Sequence, residues 1–223
     1  MIDVLNDPGG TEKLHALGVR SVPIVYRDGE FVRGQNLEDV AKFVGLHGTG
    51  HQPLPPEQLM EKWTLVLGAT QRYVRQLADE QLAGRVIPNR DRSIRRLCHH
   101  IFRIGEAYLE TAVDGVDFVH KLANITPPDD AFLHADEFVR YGDNVQGRLH
   151  RWWQNEPDKS CLRKVQTYFG EQTLHMLYER CTWHSAQHTR QLIAVLERLG
   201  IEPDGRVTRA DLAGLPLPER LFE

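Results

Sequence analysis

Between residues 56 and 199, apolar and aromatic side chains recur at steps of three and four in four separate stretches, and nothing else in this sequence restricts its fold as tightly. Leu59, Trp63, Val66, Thr70, Tyr73 and Leu77 form the series on the first stretch, and Phe138, Tyr141, Val145, Leu149 and Trp152 on the third. Steps of three and four place side chains on one face of an α-helix, so each stretch carries a single buried stripe. The pattern predicts helices at about 56–78, 91–113, 134–155 and 171–199. Four such helices cover their stripes most simply against one another, as a four-helix bundle. Two connections, "GVDFVHKLANITPPDD" after the second helix and "PDKSCLRKVQTYFG" before the fourth, are long enough to cross the bundle or cover its mouth.

The fourth stripe contains more than a plain core needs. It runs Leu174, Leu177, Cys181, His184, His188, Gln191, Val195, Leu199, with apolar residues on both sides of the polar ones. A buried polar group without a partner costs about 1–3 kcal/mol, so these three require partners. Other side chains could serve, and so could a metal: imidazoles four residues apart project from one face and suit zinc, nickel, copper or iron. Ser185 follows His184, so the zincin pattern H-E-x-x-H is absent and peptidase chemistry is not suggested.

A third ligand is available on the second helix, in "LCHHIFRIGEAYLE". Its stripe is Ile94, Leu97, Ile101, Ile104 and Tyr108, and His100 borders it, whereas His99 is flanked at helical spacing by Arg95, Arg96 and Arg103. His100 is therefore expected to face inward and His99 to lie on the wet side. The expected metal set is His100, His184 and His188; the remaining histidines sit in polar runs, turns or helix flanks.

The first 46 residues have a different character. "SVPIVYRDGEFVRG" holds β-type runs at 22–26 and 30–32 around Asp28-Gly29, a hairpin signature. Helical patterns flank it, one opening at Thr11 and stopping at Gly18, the other opening at Asn36 and stopping at Gly45. With "MIDVL" as a first strand, the order is β-α-β-β-α. A linker rich in Gly and Pro, "LHGTGHQPLPPEQ", follows. The fold class expected for the whole chain is mainly α with a small α/β segment.

The end of the first helix, "VRQLADEQL", the second helix's "LCHHIFRIGEAYLE" and the last helix's "TWHSAQHTRQLIAVLERLG" together resemble the DinB/YfiT-like superfamily of metal-binding four-helix bundles, which includes low-molecular-weight thiol S-transferases. The resemblance covers roughly residues 55–200. It implies a divalent metal held by His100 from the second helix and by His184 and His188 from the fourth. At "QHTRQ" the sequence departs from the additional histidine and glycine found in many members. The N-terminal segment resembles the second half of a glutaredoxin or thioredoxin fold. Pro23 stands where that fold has a cis proline, which makes Val22 and Pro23 the thiol-binding candidates. The first strand, first helix and Cys motif of that fold are missing, so the segment cannot run thiol–disulfide exchange. It is a remnant packed on the bundle, a docking surface for a thiol or a second subunit, or the tail of a longer natural chain. The strand-forming "MIDVL" would leave a sheet edge open, to be covered by the bundle or by another copy in a homodimer. The expected organisation is a partial glutaredoxin-like segment at 1–46, a linker at 47–56, a DinB-like four-helix bundle at 57–200 and a C-terminal tail at 201–223.

Three imidazoles leave coordination positions open, the arrangement of a catalytic site. The function expected is a transferase or lyase in which zinc, ahead of nickel, activates a low-molecular-weight thiol against an electrophilic small molecule. Gln191, one turn past His188, is placed to accept an imidazole N–H or orient a ligand, and Arg190 with the basic "NRDRSIRR" to hold a carboxylate. A hydrolase using activated water, a binding or sensing module without turnover, and a metal-free hydrogen-bonded cluster are the alternatives. Net charge is −4 and the pI about 6.3, which gives no general attraction to nucleic acid. The three cysteines contain no C-x-x-C, no run of 18 apolar residues appears, and "MIDVLNDPGG" lacks the regions of a signal peptide. The expectation is a cytoplasmic protein with no membrane partner. The tail has helix-start signals at Thr208 and apolar residues, Leu215, Leu217, Leu221 and Phe222, that should pack on the bundle or on a partner.

Overall fold

The computed structural model describes residues 7, 9–19, 24–34, 37–46, 52–85, 92–128, 130–219 and 221. The chain divides into two compact units, Met1–His51 and Gln52–Glu223. It is mainly helical with two small antiparallel sheets. No helix among the described residues is long and apolar enough to cross a membrane.

In the first unit α1 (Gly10–Ala16) is followed by strands β1 (Ile24–Arg27) and β2 (Glu30–Arg33) and by α2 (Leu37–Phe43). The hairpin turns as its sequence demands. Asp28 and Gly29 both adopt positive φ, 53° and 91°, and Arg27 pairs with Glu30, which is the two-residue turn that Asp-Gly favours. The expected first strand, Val22 and Pro23 lie outside the described residues.

The second unit contains α3 (Pro56–Arg75), α4 (Asp79–Ala83), α5 (Ile94–Ala112), α6 (His120–Ala123), α7 (Ala135–Asn155), β3 (Lys164–Thr167), β4 (Gly170–Thr173) and α8 (Leu174–Arg198). Local chemistry sets where the long helices begin. Pro56 opens α3, where a missing N–H costs nothing. Ser93 Oγ accepts from the Arg96 amide at the start of α5, and Thr173 Oγ1 from the Met176 amide at the start of α8. The helices α3 and α5 each pack against both α7 and α8. Each of the four contributes an aromatic side chain to one central cluster. The Trp63 and Tyr108 rings lie 5.4 Å apart, Tyr108 and Tyr178 5.2 Å, and Tyr178 and Trp152 5.2 Å.

The stretch before α8 differs from the plain connection its sequence suggests. It folds as the hairpin β3–β4, in which Lys164 pairs with Thr173 and Thr167 with Gly170. Phe118, from the other long connection, bridges to Thr167 in parallel. Val165 and Phe169 are buried, and β4 runs directly into α8, so the hairpin fixes where α8 starts.

The tail packs on its own unit. Tyr73 Oη accepts from the Val207 amide at 2.8 Å, Lys62 donates to the Asp211 carbonyl, and Val207, Leu212 and Leu215 are buried. The helix expected at Thr208 does not form. Thr208 and Asp211 close one turn through paired side-chain and backbone hydrogen bonds, and the chain continues as turns toward Gly214, Pro216 and Pro218. Phe222 lies outside the described residues.

Close approach of α7 to its neighbours requires glycine at 142. A Cβ there would stand 2.8 Å from both Phe102 Cε1 and Gln71 Nε2. Helix propensity favours alanine by about 1 kcal/mol, but forcing a methyl group into a filled core costs about 1–3 kcal/mol. Gly142→Ala is therefore expected to lower stability. Gly147→Ala on the same helix, where a Cβ meets only the flexible end of Arg151 at 3.4 Å, is expected to raise it. Urea unfolding of the two variants beside wild type reads both signs.

Candidate metal centre

Ser93 starts α5 seven residues before His100, and this phase sends two consecutive histidines to opposite neighbours. His100 meets α8. His99, expected on the wet side, is buried at 6 % exposure, stacked on Tyr141 with ring centres 5.4 Å apart and edge-on to Phe132 at 4.9 Å. Burial, assisted by the Arg103 charge, pushes its pKa down to about 4. The reason for the difference is Arg103: it points into an ion network rather than marking solvent, with one guanidinium nitrogen donating to Glu106 and another to Glu110, each at 2.7 Å.

On α8, His184 and His188 lie one turn apart and face His100. The His184 Nε2 atom stands 3.1 Å from His100 Nε2 and 3.1 Å from His188 Nε2. One nitrogen from each ring lies within 4.8 Å of the other two, close enough for the three histidines to hold a metal ion. His100 is buried, His188 is 9 % exposed and His184 is partly exposed. Burial, then the neighbouring histidines, holds His100 far below the ordinary imidazole range, and the same two causes act on His184. Neutral rings keep lone pairs available for a cation.

Hydrogen bonding assigns one tautomer. Gln191 Oε1 lies 2.7 Å from His188 Nδ1, while Gln191 Nε2 donates to the Leu221 carbonyl at 2.8 Å. The amide oxygen can only accept, so Nδ1 carries the proton and His188 Nε2 presents a lone pair to the centre. A single N–H on His184 would have to be shared between two neighbours. Three nitrogens bound to one tetrahedral zinc at about 2.0–2.1 Å stand roughly 3.3 Å apart, near the two contacts observed. The donor set therefore fits a divalent cation.

The scaffold around the triad is tied across helices. Trp63 Nε1 donates to Ser185 Oγ at 3.1 Å, and Ser185 donates to the Ile101 carbonyl at 3.1 Å, which pins α8 to α3 and α5 beside His184. Thr70 and Thr189 repeat the link one turn on, at 2.9 Å.

Gln191 thus occupies the role of imidazole partner expected of it. Arg190 is placed elsewhere: its Nη1 donates to Gln187 Oε1 at 2.7 Å and to the Pro218 carbonyl at 2.9 Å, toward the tail. In the basic run, Arg92 donates to the Arg96 carbonyl and Arg95 to the Ala131 carbonyl. Sequence reasoning missed Arg180 and Tyr168, which line a cavity of about 20 Å³ with His100, His184 and Asn124, and the Leu221 carbonyl behind Gln191. Arg180 lies four residues before His184, a spacing that could have pointed to it. No known family model and no curated protein matches the chain.

Gln191→Leu keeps side-chain volume but removes the acceptor of His188 Nδ1–H. Loss of such a partner typically costs ten- to a hundredfold in metal affinity. The variant should remain folded and bind zinc more weakly by about that factor, as read by competition with a chromophoric chelator.

Proposed function

We propose that the second unit is a DinB-like four-helix bundle that holds a divalent cation, zinc ahead of nickel, on His100, His184 and His188 and transfers a low-molecular-weight thiol to an electrophilic small molecule. The convergence of three imidazole nitrogens beside a cavity carries this reading. A cation on three imidazoles keeps coordination positions open and acidifies a thiol or water bound there. The chain's own groups supply the rest: burial keeps His100 and His184 neutral, Gln191 orients His188, and Ser185 and Thr189 hold α8 in place.

The chain's cysteines do not serve as the nucleophile. All three are free and buried, and burial pushes the Cys98 thiol up to about 12 and the Cys161 thiol to about 11, with Cys181 also raised. A thiolate at neutral pH must come from a bound molecule. The N-terminal hairpin with its flanking helices, which follows part of the glutaredoxin-like order, favours thiols over water as the activated group. The setting consistent with free thiols is the cytoplasm.

The test is thiol consumption by zinc-loaded protein with a panel of small thiols and the electrophile 1-chloro-2,4-dinitrobenzene. Zinc-dependent thiol loss, absent in His184→Ala, is the expected result. Turnover of p-nitrophenyl acetate without a thiol would replace the reading with a hydrolase, and binding without turnover would replace it with a sensing module.

A further inference from the structure

The open side of the triad is lined by a cation that has no carboxylate partner among the described residues. Arg180 borders the cavity that His100 and His184 share. Its guanidinium stacks on Phe169, 4.3 Å from the ring centre, and lies 5.7 Å from that of Trp183, contacts that restrict its position and leave the N–H edges for a ligand. A cation on the imidazoles and the Arg180 guanidinium would both bear on a cavity whose lining residues include no carboxylate, so the site lacks negative charge. An anionic ligand would supply it.

The spacing limits what that anion can be. Arg180 and His184 are four residues apart on α8, about 6 Å along the helix axis. A ligand in the cavity that Arg180, His100 and His184 line together has its anionic group near its donor atom rather than at the far end of a long molecule. The cavity is small, about 20 Å³, which favours a compact molecule.

Resting on the three-histidine metal reading, we propose that the thiol taken by this site bears a carboxylate and that Arg180 binds that carboxylate. Carboxylate recognition by arginine is planar and two-pronged, which lysine reproduces only in charge.

The experiment uses the full chain loaded with cobalt(II) and titrated with mercaptoacetate or 2-mercaptoethanol, in wild type, Arg180→Gln and Arg180→Lys. Sulfur-to-cobalt absorption reports thiol binding, and cobalt stoichiometry is measured separately. Arg180→Gln should weaken mercaptoacetate about tenfold or more, the scale of a lost charge-assisted hydrogen bond, and leave 2-mercaptoethanol within about twofold. Arg180→Lys should fall between. Equal weakening of both thiols, or of neither, overturns the proposal. If cobalt fails to bind wild type, the metal reading fails, and carboxylate recognition is then read on the metal-free protein. Sodium acetate should raise the unfolding temperature of wild type above that in sodium chloride at equal ionic strength, and not that of Arg180→Gln. The same response in both proteins overturns the role of Arg180.

Discussion

Arg103→Ala is expected to destabilise the second unit by about 3–5 kcal/mol, the usual consequence of removing one partner from a buried ion pair. Arg103 is 4 % exposed, and its guanidinium donates to the Leu122 carbonyl at 2.9 Å, to Glu106 at 2.7 Å and to both carboxylate oxygens of Glu110 at 2.7 and 2.8 Å. Tyr141 adds a hydrogen bond to Glu106 at 2.6 Å. Truncation leaves Glu106 with Arg148 at 3.4 Å and strips Glu110 of its two-pronged partner, so the cluster of two arginines and two glutamates loses half its positive charge. It also releases α6, whose Leu122 carbonyl Arg103 holds. The pH dependence has a definite sign. Burial alone would raise the Glu106 pKa, but the Tyr141 and Arg103 hydrogen bonds outweigh it and hold the carboxyl below its ordinary 4.5. A depressed carboxyl contributes stability that is present above 4.5 and lost as pH falls through the folded value. Wild type should therefore lose stability in acid, and Arg103→Ala should lose less between neutral and acid pH because its Glu106 is less depressed. Urea unfolding at both pH values measures the two effects. A loss below about 1 kcal/mol at neutral pH would mean that the network behaves as a surface ion pair.

His100→Ala is expected to abolish tight metal binding while the bundle stays folded. The two ligands left on α8 could still bind a cation, but without a donor from α5 the site loses its third corner. The drop in zinc affinity should exceed the ten- to hundredfold expected when a ligand's hydrogen-bond partner is lost. Zinc competition measures affinity and far-ultraviolet circular dichroism measures fold. The substitution leaves His184 and His188 with each other as partners at 3.1 Å, so a folded protein is the expected background. Undiminished zinc binding in this variant would place the metal elsewhere.

What could be read from the sequence was what helical periodicity determines. The four long helices lie within a few residues of their expected spans, and His184 and His188 turn inward because the stripe on either side of them is apolar. His100 was also accessible, by its place beside the α5 stripe. His99 was not, because its arginine neighbours suggested solvent, and only the folded arrangement shows Arg103 buried between two glutamates. The β3–β4 hairpin shows alternating burial in Lys164–Thr167, yet its turn residues, Tyr168 and Phe169, carry none of the Asn-Gly or Asp-Gly chemistry that announces a hairpin. Arg180 was within reach of the same periodicity, one turn before His184 on α8, whereas the Leu221 carbonyl meets Gln191 only through tertiary packing, at a separation no periodicity encodes. The same is true of Arg190, whose direction is set by the tail it binds.

X-ray absorption at the zinc edge on protein purified without an affinity tag and then reloaded with one equivalent tests the metal centre most directly. The account predicts one tightly held zinc with three imidazole nitrogens at about 2.0–2.1 Å, the multiple scattering typical of histidine, and a non-protein ligand completing the site. No retained zinc after reloading, or zinc bound through sulfur or with fewer than three imidazoles, would contradict it.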